Sequence, residues 1–212
     1  MVNRVRNGEL EVWGAGPLPS FMAAQVTNTV LSVLDLSDPL KSAPRLAFGT
    51  NQIRGERYVG EGQRSLRATI AAVGVADDFR LCSDNVSPTL FTGNPSLPIV
   101  FVPGHRYSLS FLARCSVPGN LVRVRVVLRD AAGVVRAFLA DILGNWAVAA
   151  STVDLATGFC WMRHALHFVA PMSDGAGNII ASAVWVISNT TAGAQLLDLD
   201  DIRIEDLDIR RN

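Results

Sequence analysis

Lysine is almost missing from this chain: of its 19 basic residues only Lys41 is a lysine, and the rest are arginine. Arginine offers planar bidentate and stacking contacts that lysine lacks. The 19 basic residues face 19 acidic ones, so the net charge is zero. That removes the summed field by which a nucleic acid or an anionic membrane would be recruited as a partner. Cysteine is scarce and odd in number. Cys82, Cys115 and Cys160 are too widely spaced for a disulfide framework or a zinc knuckle. The opening residues Met1 to Glu9 lack the apolar run of a secretory leader, and no stretch is long and apolar enough to span a bilayer. The expectation is a chain made and folded in a cytosol, with a later extracellular life open to it on a particle released by lysis.

Catalytic motifs are missing as well. There is no Gly-x-Ser-x-Gly elbow, and Gly60-Glu61-Gly62-Gln63-Arg64-Ser65 lacks the lysine of a phosphate-cradling loop. His164 and His167 would project from opposite faces of a strand, which makes them ordinary hydrogen-bonded histidines and a poor metal pair. The expectation is a protein that is not an enzyme.

Helical periodicity is almost absent, and period-two alternation takes its place. Tyr107, Leu109, Phe111, Ala113 and Cys115 share one face, with Ser108, Ser110, Arg114 and Ser116 on the other. Val122, Val124, Val126 and Leu128 alternate with Arg123, Arg125 and Arg129, and Val117-Pro118-Gly119-Asn120 lies between the two runs. This spacing predicts a hairpin within Ile99 to Asp130. Further strands are expected at Asn7 to Gly16, Arg64 to Val73, Val134 to Ile142 and Ala165 to Ala170. Asp77 to Pro98 reads as a broken strand and a long loop. Ile179 to Ser188 is apolar on both faces, which predicts a central or covered strand. Val26 to Leu36 fits a strand or a buried helix. Leu197 and Leu199 have one parity and Ile202 and Ile204 the other, so a β-bulge is expected at Asp200-Asp201. With 212 residues and 49% apolar content the chain can bury one full-sized core. The expected fold is an all-β antiparallel sandwich forming one domain over 1–212, with 17–57 an irregular insertion or extension.

Several pieces carry a resemblance in their order along the chain: Asn7-Gly8-Glu9-Leu10-Glu11-Val12-Trp13 with Gly16-Pro17-Leu18-Pro19, Gly62-Gln63-Arg64-Ser65-Leu66-Arg67, Val102-Pro103-Gly104-His105-Arg106-Tyr107-Ser108-Leu109-Ser110-Phe111, and Leu197-Asp198-Leu199-Asp200-Asp201-Ile202. Together they resemble the jelly-roll carbohydrate-binding modules of the galactose-binding-like superfamily, of the kind found in virion proteins of tailed bacteriophages. The resemblance implies a non-catalytic structural or adhesion part of a phage particle, such as a spike, tail-fibre or capsid-decoration component. It would be made in the host cytoplasm, joined to other virion proteins in a symmetric assembly, and able to touch host polysaccharide. The alternative is a carbohydrate-binding module serving a glycan-degrading enzyme.

Sugar rings present apolar C–H faces edged by hydroxyls, so aromatic faces and planar donors are the groups to look for. Trp146, Trp161, Trp185, Arg123 and Arg125 are the candidates. The competing reading packs Trp146 and Trp161 under loops and leaves the arginines on a solvated or subunit-facing surface. The resemblance also implies a structural calcium ion held by Glu11 and Asp200, although the family's aromatic before the first carboxylate is Leu10 here; the alternative is that Asp198 or Asp201 pairs with the many arginines.

Overall fold

The computed structural model describes residues 18–20, 22–35, 64–95, 99–117 and 119–208. Thirteen strands run through them: β1 Met22–Val26, β2 Thr29–Asp35, β3 Arg64–Ile70, β4 Phe79–Ser83, β5 Ile99–Val100, β6 Arg106–Cys115, β7 Leu121–Arg129, β8 Val135–Leu139, β9 Trp146–Ala147, β10 Val153–Ala156, β11 Met162–Val169, β12 Ser182–Asn189 and β13 Gln195–Asp206. They form two antiparallel sheets. One has the order β1-β4-β12-β7-β8-β9, with β10 added beside β7 and β5 beside β12; the other is β11-β6-β13-β3-β2. The alternating apolar residues of both sheets meet in one core that includes Leu66, Phe79, Leu109, Phe111, Val124, Trp185, Leu199 and Ile204. Each such side chain contributes about 1.5–3 kcal/mol by leaving water, which is why the period of two decides the architecture.

The hairpin expected between the two central runs is not formed. β6 pairs with β11 and β13, whereas β7 pairs with β12, β8 and β10, so the two consecutive strands lie in different sheets. Alternation reveals that each strand has a core face, but not which neighbour supplies its ladder. The two runs face one another across the core. Hydrogen bonds to other segments hold the two ends of the connection: the Ser116 N–H donates to the Leu196 carbonyl (3.0 Å) and the Thr157 N–H to the Asn120 carbonyl (2.8 Å).

Within the expected irregular extension the structure places β1 and β2, one in each sheet, and β2 is the strand alternative expected for Val26 to Leu36. Asn28, at φ 49°, turns the chain between them. The expected strand at Asn7 to Gly16, and Glu11 with it, lies outside the described residues, as does 36–57. The expected bulge is present: pairing with β6 slips between Asp200 and Arg203, and Asp201 takes a left-handed φ of 47°. Leu197, Leu199, Ile202 and Ile204 consequently all point inward and are buried.

β12 is central, between β4 and β7, and its outward residues are covered too. Residues 84–95 of the same chain do the covering, so the apolar double face calls for no neighbouring subunit.

On the outward side of the eight-stranded sheet Asp77 receives Arg125 (3.0 and 3.2 Å), Ser188 (2.6 Å) and, at 3.5 Å, Arg80 and Arg123. Burial alone would raise its carboxyl pKa, but the hydrogen bonds from Arg125 and Ser188, with the charges of Arg125 and Arg80, outweigh that and hold it at about 2. A carboxylate depressed in the fold stabilises above its unfolded pKa, near 3.8, and loses that contribution as pH falls through about 2. Urea midpoints between pH 4 and 2 should therefore fall more steeply for the wild type than for Asp77→Asn. Parallel pH profiles would remove Asp77 from the account.

Candidate functional site

The structure separates the five residues expected to meet a sugar. Trp185 is wholly enclosed, 0% exposed, in the core between the sheets and offers no face to a ligand. Its place follows from parity, since on β12 it points inward with Ala183 and Ile187. Trp146 is half-buried. Its Nε1–H donates to the Val169 carbonyl (3.0 Å) and its ring meets Phe168 edge-on at 5.4 Å, so it closes the edge of the core. Arg123 forks onto its cross-strand partner Asp154 (2.9 and 3.0 Å), and Arg125 onto Asp77. Both guanidiniums are committed to fastening strands of the eight-stranded sheet. Only Trp161 sits beside a pocket-forming group: its ring lies 4.9 Å from the Arg114 guanidinium carbon, within cation–π range.

That contact lies on the outward face of the five-stranded sheet. Antiparallel register sets Arg67 of β3, Asp198 of β13 and Arg114 of β6 side by side in one row. Asp198 is 2% exposed and accepts from both neighbours. Arg67 donates through Nε and Nη2 at 2.7 and 2.8 Å, and Arg114 donates through Nε at 2.7 Å. The hydrogen bond to Asp198 raises the Arg67 pKa against the opposing effect of burial, so the guanidinium stays charged at any working pH. Charge-assisted bonds of this kind fix the guanidinium planes.

Beside this row opens a cavity of about 280 Å³, lined by Arg67, Arg114, Cys115, Ser116, Phe159, Leu196 and Asp198. A hollow of about 220 Å³ adjoins it, sharing Ser116 and Leu196 and bounded by Thr69, Ile70, Ala194 and Gln195. Phe159, on the β10–β11 connection, is 42% exposed, and the connection is held by the Cys115 N–H donating to the Gly158 carbonyl (2.8 Å). Buried amides stand behind the wall: Asn120 Nδ2 donates to Gln195 Oε1 (2.8 Å), and Gln195 Nε2 to the Thr191 carbonyl (2.7 Å). An aromatic face, apolar walls and oriented planar donors can bind a ring with hydroxyl edges.

Sequence reasoning offers Asp198 as a partner for arginines, which it is, but does not single out Arg67, Arg114 or Phe159 as site residues. The outward parity of Arg67, Arg114 and Asp198 was available, but their meeting depends on which strands pair.

Asp200, expected as a calcium ligand, is buried at the bulge, and its Oδ1 accepts the Asp201 N–H (2.7 Å). Asp201 is gripped by Arg163 and Arg203. Among the described residues no group of three or more His, Cys, Asp or Glu is placed to hold a metal ion.

No protein-family model and no curated protein matches the chain. Among solved structures it is similar to the enzymatically active domain of tailspike protein 4 of bacteriophage CBA120, with a TM-score of 0.55 and 13% identity. The likeness covers 97% of this chain but only 21% of the tailspike chain. It is also similar to TmCBM61, solved in complex with β-1,4-galactotriose, with a TM-score of 0.51 and 11% identity over 97% of this chain and 99% of that one. Two antiparallel sheets and this likeness together establish the fold as an all-β jelly-roll sandwich.

Proposed function

We propose that this chain is a non-catalytic carbohydrate-binding domain whose ligand lies on the outward face of the five-stranded sheet, at Arg67, Arg114, Phe159 and Trp161. The observation that carries the reading is the 280 Å³ cavity, where an exposed aromatic ring stands beside two guanidiniums held in place by one carboxylate. Sugar C–H faces would pack on Phe159 and Trp161, while the guanidiniums donate to hydroxyl oxygens. Asp198 acts through the arginines it orients. Arg123, Arg125, Trp146 and Trp185 leave the proposed site. A glycan array probed with the purified chain tests the reading, with retention on at least one polysaccharide as the expected outcome.

The proposed setting is a bacteriophage particle, in which the domain joins other virion proteins as a spike, tail-fibre or decoration component and touches host surface glycan. Its fold, shared with part of a phage tailspike chain, supports this setting. The likeness over nearly all of TmCBM61 supports equally a module that serves a glycan-degrading enzyme. Co-sedimentation with particles discriminates the two.

A structural calcium ion shared by Glu11 and Asp200 is a separate proposal. Calcium takes six to eight oxygens, and the described residues supply the Asp200 carboxylate alone, so the clamp depends on Glu11 and on backbone carbonyls. Nothing in the sugar-binding reading runs through it. The expected result is a melting temperature that falls with a chelator in the wild type and ignores it in Asp200→Ala. A wild type indifferent to the chelator would leave Asp200 as a cap of the bulge.

A further inference from the structure

On the outward side of the eight-stranded sheet, Cys82 of β4, Val127 of β7, Phe138 of β8 and Val184 and Val186 of β12 are buried in a second apolar cluster. Residues 84–95 lie over them. Val86 is buried among them and Phe91 meets Phe138 edge-on, centroids 5.7 Å apart. The segment closes on itself, for the Ser87 N–H donates to the Thr92 carbonyl and the Phe91 N–H to the Ser87 carbonyl, both at 2.8 Å. It is tied to the sheet by Arg129, whose Nη1 donates to the carbonyls of Gly93 (2.5 Å) and Phe91 (3.4 Å), and by the Thr89 hydroxyl, which accepts from Arg80 Nη1 of β4 (3.1 Å) and donates to Gln25 Oε1 of β1. Arg129 is only 2% exposed, and burial lowers its pKa. Two neutral carbonyls offset the burial of a guanidinium charge only in part. Closing this segment therefore carries an electrostatic cost, which favours its opening as a local unit ahead of global unfolding.

We propose that residues 84–95 form a hinged strap that opens as a unit while both sheets stay paired, uncovering the apolar face of β4, β12, β7 and β8 together with the Cys82 thiol. In the closed state Cys82 Sγ lies within hydrogen-bond reach of two carbonyls, that of Val86 in the strap (3.5 Å) and that of Ala23 in β1 (3.6 Å). Burial, with a smaller push from Asp84, raises its pKa to about 12, so the closed thiol is inert. Gly93 is the neck of the strap. Its φ is 99°, and a Cβ there would strike the Asn85 carbonyl oxygen.

Alkylation of the native full chain with N-ethylmaleimide, read cysteine by cysteine through peptide mass spectrometry, tests the strap. Cys82 is expected to react faster than global unfolding allows, at a rate insensitive to low urea. Gly93→Ala should speed it by about ten- to a hundredfold without speeding global unfolding, since one strained backbone position costs about 1–3 kcal/mol. Phe91→Ala, which removes the contact with Phe138 and leaves the backbone alone, should act in the same direction and serves if Gly93→Ala does not fold. Cys82 labelling that follows the rate and urea dependence of global unfolding would overturn the proposal. So would a variant that speeds global unfolding as much as it speeds labelling.

Discussion

Trp185→Ala should unfold much of the protein at temperatures where the wild type is intact. The side chain is fully enclosed between the sheets, beside Val126 in the β12–β7 ladder, and its removal leaves a large cavity in a close-packed core. The expected loss is about 3–5 kcal/mol, set against a total of about 5–15 kcal/mol for a typical domain. In a chain of this length each kcal/mol moves the melting temperature by about 2–4 °C, so a fall of about 6–20 °C is predicted. Trp185→Phe should cost clearly less, because it keeps most of the volume and Nε1 has no hydrogen-bond partner among the described residues. Scanning calorimetry of both variants checks this. An alanine variant as stable as the wild type but deficient in glycan binding would return Trp185 to the ligand site.

Asp198→Ala should be nearly as damaging, for an electrostatic reason. Its carboxylate sits between Arg67 and Arg114, with side-chain exposures of 3% for Asp198, 20% for Arg67 and 4% for Arg114. Taking away the shared anion leaves a deeply buried cation without its carboxylate, and breaking a buried pair from one side costs about 3–5 kcal/mol. Arg67→Ala should cost less, since Arg67 is the more exposed partner and Asp198 keeps Arg114. The ordering Asp198→Ala well above Arg67→Ala, measured by urea unfolding at pH 7, is the expected result. Equal losses would mean that the three groups do not share one carboxylate in solution.

Parity along a strand is readable without a structure, and partnership between strands is not. The inward faces of β6, β7, β11 and β13 and the bulge at Asp200-Asp201 follow from a side-chain period of two, which a buried face enforces strictly. The connection at 117–120 was misread because a short loop holding proline and glycine serves a hairpin or a crossing between sheets equally well. The covering of β12 was half readable: its double apolar face shows in the sequence, while the identity of the cover depends on where 84–95 folds back. The candidate site suffered most. Tryptophan type suggested Trp185, but burial is decided by parity, and Ala183, Trp185 and Ile187 share the inward side. Arg123 and Arg125 look like free outward donors until Asp154 arrives from β10 and Asp77 from the turn before β4. Arg67, Arg114 and Asp198, which are 131 and 84 residues apart as bonded pairs, meet only through the register of β3, β13 and β6.

The central claim is that glycan binds where Phe159 and Trp161 border the Arg67–Asp198–Arg114 row. Isothermal titration of an array-positive oligosaccharide against the wild type, Phe159→Ala, Trp161→Ala and Arg125→Ala tests it most directly, once circular dichroism shows all four folded. The account predicts that Phe159→Ala and Trp161→Ala each weaken binding by at least about tenfold, as loss of a central aromatic anchor does. It predicts that Arg125→Ala, on the other sheet, leaves affinity unchanged. Undiminished binding by both aromatic variants, or a wild type that retains no glycan at all, would contradict it.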